Sequence, residues 1–513
     1  MRETSLEYVA MKKPKDTDCH LLSLAQEGLL RNHYCTSAKE TLNLSYAVLF
    51  PSILDVRALR DSLERLIERH EPLRTSYHRK GSDWIVAVAD KGAGTFSIED
   101  LRDHPEAEAW NRVHEVSILE AATPFDPQLL ANYRVRILFV DPESTVVIVS
   151  LHHVTADAWS MTTFCREWSI LYDSCVKLAP SLLSQQSREI LPPISKQCID
   201  GALSQRRWIA SDYAREQEAW WKSQALLAQE VASPLQWDLP RLPVPYLRTS
   251  RQVIEIPCVV DSGIKDMQSQ CGVSAFEVLA AALSVVLASL LKEDTVIIGS
   301  LVANRRKHGT KRCLGAFYNT VPYVFRFDRE SNVWELVEGW REKVAEVDEH
   351  QELPFPLIAK TFSDVRAILP LRLCQIMLYF DRYPAEQLRF GGISGVGIHY
   401  DPQSSNKATI NTSDQRLMND DISSSSLEIS RFRTASSSDL SFFIRQGSKT
   451  KTLSVFYKTD LIKDETVVWL VDSFFAVIQQ MAEDRNQTVS NIILSECYSY
   501  ASKETYREEK YNG

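Results

Sequence analysis

Two adjacent histidines and a nearby carboxylate stand in the stretch SLHHVTADAWS, Ser150–Ser160. The pair is His152 and His153, and Asp157 follows. Imidazole is the side chain that exchanges a proton near neutral pH. In its neutral form it can accept one from an attacking nucleophile. The residues TVVIVSLHH, Thr145–His153, are apolar on both faces and predict a strand inside a sheet covered on both sides. Side chains alternate along a strand. His152 therefore shares a face with Val146 and Ile148, and His153 shares the other with Val147 and Val149. Only one histidine can face a given cleft; the other must be buried and hydrogen-bonded on the far side. Asp157 falls in the connection that leaves the strand. A carboxylate in such a dry junction needs a cationic partner, and arginine suits it best.

The elements that must hold these groups can be read from apolar spacing. SMTTFCREWSILY, following the junction, places Met161, Phe164, Cys165, Trp168, Leu171 and Tyr172 on one helical face. LDVRALRDSLERLIERH, Leu54–His70, has the same spacing, with Asp55 as its N-cap. VLAAALSVVLASLL, Val278–Leu291, is too short for a bilayer of about 30 Å. Ser274 and Glu277 ahead of it form a capping-box pattern, so it predicts a buried core helix. It runs into a further buried strand, TVIIGSLVANR. Strands alternate with helices, which makes the class α/β.

Lys177–Gln197 is rich in Pro, Ser and Gln and predicts a linker; Gln403–Ser426 is polar and of low complexity, a mobile insertion. The boundaries drawn are a first lobe over 15–185, a linker over 186–210 and a second lobe over 211–500. No repeat between the halves is visible. The chain has 513 residues, 44% hydrophobic, enough for two or more cores. Its 58 basic and 67 acidic side chains give a net charge of −9, which argues against a general nucleic-acid binder. The 10 scattered cysteines read as reduced core thiols of a cytoplasmic protein, with neither a zinc site nor a disulfide framework. No apolar leader opens the chain, and no membrane span is expected.

HHVTADAWS resembles the H-H-x-x-x-D-G-W-S motif of the condensation domains of nonribosomal peptide synthetases. The wider family, acyltransferases of the chloramphenicol acetyltransferase type, shares only H-x-x-x-D. LSLAQEGLL resembles S-x-A-Q-x-x-L-W, and RHEPLRTSY resembles R-H-E-x-L-R-T-x-F. SDYAREQEAWW is similar to Y-x-D-Y-A-x-W. IIGSLVANR and LGAFYNTVPYVFR are similar to I-G-x-x-x-x-x-R and I-G-x-F-V-N-T. HQELPFPLI resembles H-Q-D-x-P-F-E, with Pro356 in place of the last acid, and LCQIMLYFD and SDLSFFIRQ resemble the late strands. The motifs keep the family order from about residue 20 to 480.

The resemblance implies two acetyltransferase-like lobes in a V-shaped pseudo-dimer, with mixed sheets backed by helices and a tunnel between them. A segment of the second lobe is expected to complete the first. His153 is the implied catalytic residue, with His152 in support. Asp157 is implied to be structural, paired with an arginine: Arg305 first, Arg69 or Arg74 otherwise. Trp159 and Asn319 are the expected tunnel residues. Ala158 stands where the family has glycine; it is harmless at a helical φ, and otherwise shifts the junction or narrows the acceptor channel.

FGGIS, Phe390–Ser394, resembles a carrier's phosphopantetheine attachment site, but its setting between late strands predicts a glycine-rich hairpin. No adenylation motif is visible, and a free-standing condensation enzyme is expected. The implied reaction is transfer of an acyl or peptidyl group from a carrier protein's phosphopantetheine thioester to a carrier-bound or free amine, with no cofactor bound by this chain. An ester-forming or coenzyme-A-dependent transferase and an inactive docking protein are the alternatives.

Overall fold

The structure, a computed structural model, describes residues 20–35, 39–81, 83–177, 190–231, 235–241, 249–305, 309–366, 373–381, 388–397, 438–446 and 451–495. The insertion expected at 403–426 and residues 178–189 of the expected linker lie outside them. The chain divides into two compact units, and neither is contiguous. The first comprises Met1–Arg215, Ala303–Asn319 and Tyr383–Ala435; the second holds the remaining stretches. A second lobe running unbroken from 211 to 500 therefore does not describe the chain.

In the first unit, strands β1 (His20–Leu21), β3 (Thr75–Lys80) and β4 (Asp83–Val88) form a small sheet in the order β1-β4-β3. Its helices are α1 (Leu24–Cys35), α2 (Val56–Arg69), α3 (Glu106–Ala122), α4 (Ala158–Lys177) and α5 (Cys198–Ile209). The main sheet uses β2 (Asn43–Phe50), β5 (Thr95–Asp100), β6 (Tyr133–Asp141) and β7 (Ser144–His152). A later strand, β14 (Val396–Gly397), pairs antiparallel with β2, giving the order β14-β2-β7-β6-β5. β7 is antiparallel to both neighbours, while β5 and β6 are parallel. The sheet is mixed, and its edge strand beside β2 comes from late in the chain, from a stretch that belongs to the first unit.

β7 is buried on both faces for the reason its sequence suggests. Val147, Val149 and Leu151 join a core with Leu59, Leu63 and Leu66 of α2 and Phe164 and Trp168 of α4. Val146 and Ile148 pack instead with Ala109, Val113 and Val116 of α3. Each such fully buried aliphatic side chain is worth about 1.5–3 kcal/mol, so slipping the strand by one residue would forfeit several contacts. Asp55 caps α2 by accepting from Ala58 N at 3.0 Å.

α5 corrects the linker reading of 186–210. The Pro- and Ser-rich residues ahead of it obscure the helix in the sequence, and it is held by Asp200, which accepts from Gln197 N at 2.9 Å. The FGGIS segment is a hairpin of β12 (Arg389–Phe390) and β13 (Ile393–Ser394). Gly391 and Gly392 have φ of 62° and 81°, a turn that needs left-handed backbone at both positions. Phe390 is fully buried against Phe50, Trp168 and Tyr172.

The second unit has one sheet in the order β10-β9-β11-β15-β16-β8. The strands are β8 (Thr249–Glu255), β9 (Thr295–Val302), β10 (Asn319–Arg326), β11 (Ile376–Asp381), β15 (Leu440–Gln446) and β16 (Lys451–Lys458). Helices α6 (Asp212–Leu227), α7 (Cys258–Cys271), α8 (Ala275–Leu291), α9 (Val333–His350), α10 (Phe355–Arg366) and α11 (Asp464–Glu483) complete the set. Helix α8 is buried almost all round and starts with the Ser274–Glu277 capping box. Among the described residues, no single helix is long and apolar enough to cross a membrane. Cys35 and Cys258 are exposed, which corrects the reading of every cysteine as a core thiol.

Candidate active site

His152 ends β7, and His153 is the first residue beyond it. His152 is fully buried, and desolvation is the main reason its pKa lies well below the ordinary value. His153 is half-buried. Its backbone N donates to Leu42 O at 2.8 Å. Its ring Nδ1 is 2.9 Å from Ala156 O. A carbonyl only accepts, so Nδ1 carries the proton and, in the neutral ring, Nε2 holds the lone pair. The Tyr318 ring lies beside it, with centroids 5.2 Å apart. Burial pushes the Tyr318 phenol up to about 12, so it stays protonated at neutral pH.

Asp157 is buried and saturated. Its Oδ1 accepts from Ser160 N at 2.8 Å, the N-capping bond of α4. Arg305 Nη2 reaches the same oxygen at 2.8 Å, while Oδ2 accepts from Phe317 N at 3.0 Å. Burial alone would raise the carboxyl pKa; Arg305 and the Ser160 and Phe317 donors reverse that and hold it below the ordinary value. Both oxygens are thus occupied by donors of the junction.

Arg305 is 2% exposed. It also donates to the carbonyls of Thr310, Cys313 and Gly315 at 2.7–2.9 Å, and its guanidinium lies 4.6 Å from the Phe317 ring centroid. Ser160 Oγ accepts from Arg305 Nη2 at 2.7 Å and from Gly315 N at 3.1 Å. Gly315 has φ of 151°, and a Cβ there would stand 2.6 Å from Phe317 Cε2 and 2.7 Å from Cys198 Sγ. Glycine is required at that point for both space and backbone conformation.

The other two arginines serve elsewhere. Arg69 Nε donates to Glu167 Oε2 at 2.8 Å, and Arg74 Nη1 donates to Ala89 O at 2.6 Å. Ala158 is the first residue of α4, is exposed and lacks a positive φ. Its methyl group therefore strains nothing. Trp159 is half-buried and donates from Nε1 to Lys311 O at 2.9 Å. Asn319 is buried at the start of β10. Among the described residues, no group of His, Cys, Asp and Glu could hold a metal ion.

Ser160, Gly315, Phe317 and Tyr318 were not singled out from sequence. Ser160 carried a signal, as the last residue of the D-G-W-S motif and the third helical residue after an Asp cap. Tyr318 carried another, since it occupies the valine position of I-G-x-F-V-N-T.

Residues 17–500 match the condensation domain family. A linear gramicidin synthase of Brevibacillus parabrevis is 28% identical over 76% of this chain, which spans only 7% of that protein's length. The condensation domain of the monacolin K polyketide synthase MokA superposes with a TM-score of 0.73 at 16% identity, covering 92% of this chain and 99% of that one. The X-domain solved in complex with OxyB from teicoplanin biosynthesis superposes with a TM-score of 0.69 at 18% identity, covering 95% and 98%. The mixed α/β architecture is shared with these structures, and the match runs through both units. The chain belongs to the condensation domain family.

Proposed function

We propose that the chain catalyses amide formation between a carrier-bound thioester and an amine. The donor is an acyl or peptidyl group on the phosphopantetheine arm of a carrier protein. The amine nitrogen attacks the thioester carbonyl, a C–N bond forms and the C–S bond breaks. The proton lost by the amine passes to Nε2 of His153 and then to the departing thiolate. The observation that carries this reading is the His153 ring, half-buried at the end of β7, with Nδ1 engaged by Ala156 O at 2.9 Å. Fixing Nδ1–H leaves Nε2 as the basic atom. Holding amine and thioester together supplies a further large part of the rate. Asp157 and Arg305 act as the buried pin that holds the junction, and Trp159 and Asn319 are assigned to substrate lining.

The test is incubation of the chain with a donor carrier loaded with an acyl group and a panel of amines and alcohols, read by intact-protein mass spectrometry. Loss of the acyl mass from the carrier with appearance of an amide supports the reading. Product from alcohols alone would make the enzyme ester-forming. Failure of every acceptor to discharge the carrier would leave a docking protein without turnover.

A further inference from the structure

The His152 ring is held by hydrogen bonds whose directions follow from the partners. Val154 N lies 3.1 Å from His152 Nδ1. A backbone N–H only donates, so Nδ1 accepts. A neutral imidazole has one N–H, and in His152 it must then sit on Nε2. Nε2 is 3.2 Å from His33 Nδ1, which therefore accepts and leaves the His33 proton on its own Nε2. His33 and His152 are both buried, at 2% and 0% exposed. Their rings meet edge to face, with centroids 5.1 Å apart.

What this pair holds is the turn that carries His153. The Val154 N–H is fixed by His152 Nδ1, and Thr155 N donates to His152 O at 2.9 Å. On its other side, the Val154 carbonyl faces Gln26 Nε2 at 3.4 Å and Tyr77 Oη at 3.5 Å. The peptide units on either side of Val154 are thus pinned, and His153 is the residue just before it.

We propose that His33 is a positioning residue for His153: its Nδ1 accepts the Nε2–H that His152 carries while His152 Nδ1 holds the Val154 N–H, and so keeps the buried ring where it sets the turn that orients the His153 ring. This rests on the reading of His153 as the base. His33 acts through His152 and one backbone bond, away from the reacting atoms.

The test compares two variants of the full chain. His33→Asn keeps an acceptor oxygen close to where Nδ1 sits, and His33→Leu fills the space without an acceptor. In a carrier-to-amine transfer assay, His33→Leu is expected to lower kcat by up to about 100-fold, the scale on which a displaced group loses rate, with KM for the amine unchanged. His33→Asn is expected to restore kcat to near the wild-type value. Equal losses in both variants, or no loss in either, would overturn the proposal. The ¹⁵N shifts of labelled histidines provide a readout that needs no substrate: the Nε2–H form of His152 should persist in His33→Asn and be lost in His33→Leu. If the wild type transfers no acyl group, the function proposed above fails, while the shifts still decide whether His33 holds the His152 ring in its bond to Val154; an unchanged His152 in His33→Leu would refute that too.

Discussion

The β7–α4 junction of the first unit and the β16–α11 junction of the second share a design. In each, a strand flanked by two antiparallel neighbours turns through a short connection into a long helix, Ala158–Lys177 or Asp464–Glu483. Each has a buried carboxylate close by. In the second unit it is Asp439, which accepts from Arg241, from Trp237 Nε1 at 3.0 Å and from Gln375 Nε2 at 2.7 Å, with Lys458 Nζ 3.5 Å away. There the connection fills with Leu461 and Ile462, both buried. The helix is capped from outside, by Asp238, which accepts from Lys463 N at 2.9 Å and from Thr466 Oγ1 at 2.6 Å. In the first unit, the capping carboxylate belongs to the connection itself and is tied to Arg305. The residue opening that connection is a half-buried imidazole whose Nε2 holds the lone pair in the neutral ring. The fold supplies two junctions; the first opens on an imidazole beside a capping carboxylate, and the second does not.

The largest effect on stability is expected from breaking the pin of the first junction. Asp157→Asn leaves the Arg305 guanidinium buried without its counter-charge. Such a break costs about 3–5 kcal/mol, so the melting temperature should fall sharply, together with transfer activity. A fully stable but inactive Asp157→Asn protein would give the carboxylate a direct chemical role and undo the division drawn between His153 and Asp157.

Asp439→Asn is expected to cost less, about 1–3 kcal/mol, because the Arg241 side chain opposite it is 23% exposed and can recruit water. Transfer per folded molecule should match the wild type. A loss of kcat as large as that of Asp157→Asn would erase the contrast between the two junctions.

Acid should act on both units through the same linkage. The folded-state pKa values of Asp157 and Asp439 lie below their ordinary values, and those of His152 and His70 lie below theirs, mainly through burial. In each case the unfolded chain binds the proton more readily. The stability these groups contribute is present above the unfolded pKa values and is lost as pH falls through the folded ones, at up to about 1.4 kcal/mol per pH unit for each group. Urea midpoints should therefore begin to fall below about pH 6.5, where histidines titrate, and fall again below about pH 4, where carboxylates do. A midpoint that stays flat from neutral pH into the carboxylate range would contradict the assignment.

The smallest effect is expected at Ala158. The residue is exposed and without positive φ, so Ala158→Gly should cost no more than about 1 kcal/mol, the helix penalty of glycine. One methyl group also discriminates substrates by only about 1–3 kcal/mol. The kcat/KM ratio between a small and a bulky amine is the measurement, and an unchanged ratio would mean that the methyl group does not meet the acceptor.

Much of the frame was legible because local rules decide it. Asp55 and Ser274 mark helix starts, the valines of β7 mark a doubly covered strand, and Gly391–Gly392 marks a hairpin. The need of Asp157 for a cation followed from burial alone, whereas the choice of Arg305 came from its place in a motif. What sequence did not disclose depends on residues brought together from far apart. Ser160 meets Gly315 across 155 residues, and His152 meets His33 across 119. The three-part composition of the first unit is of the same kind, since nothing local in Ala303–Asn319 signals that it belongs there.

The central claim is that the His153 imidazole serves the transfer while His152 holds the structure. Single-turnover transfer from a loaded carrier to an amine, in wild type, His153→Ala and His152→Ala, tests it most directly. Loss of a positioned base should slow His153→Ala by about 10²–10⁴-fold with its melting temperature unchanged, and His152→Ala, which removes the bond to the Val154 N–H, should lose stability and slow transfer by no more than about 100-fold. Equal single-turnover rates for the wild type and His153→Ala would contradict the account.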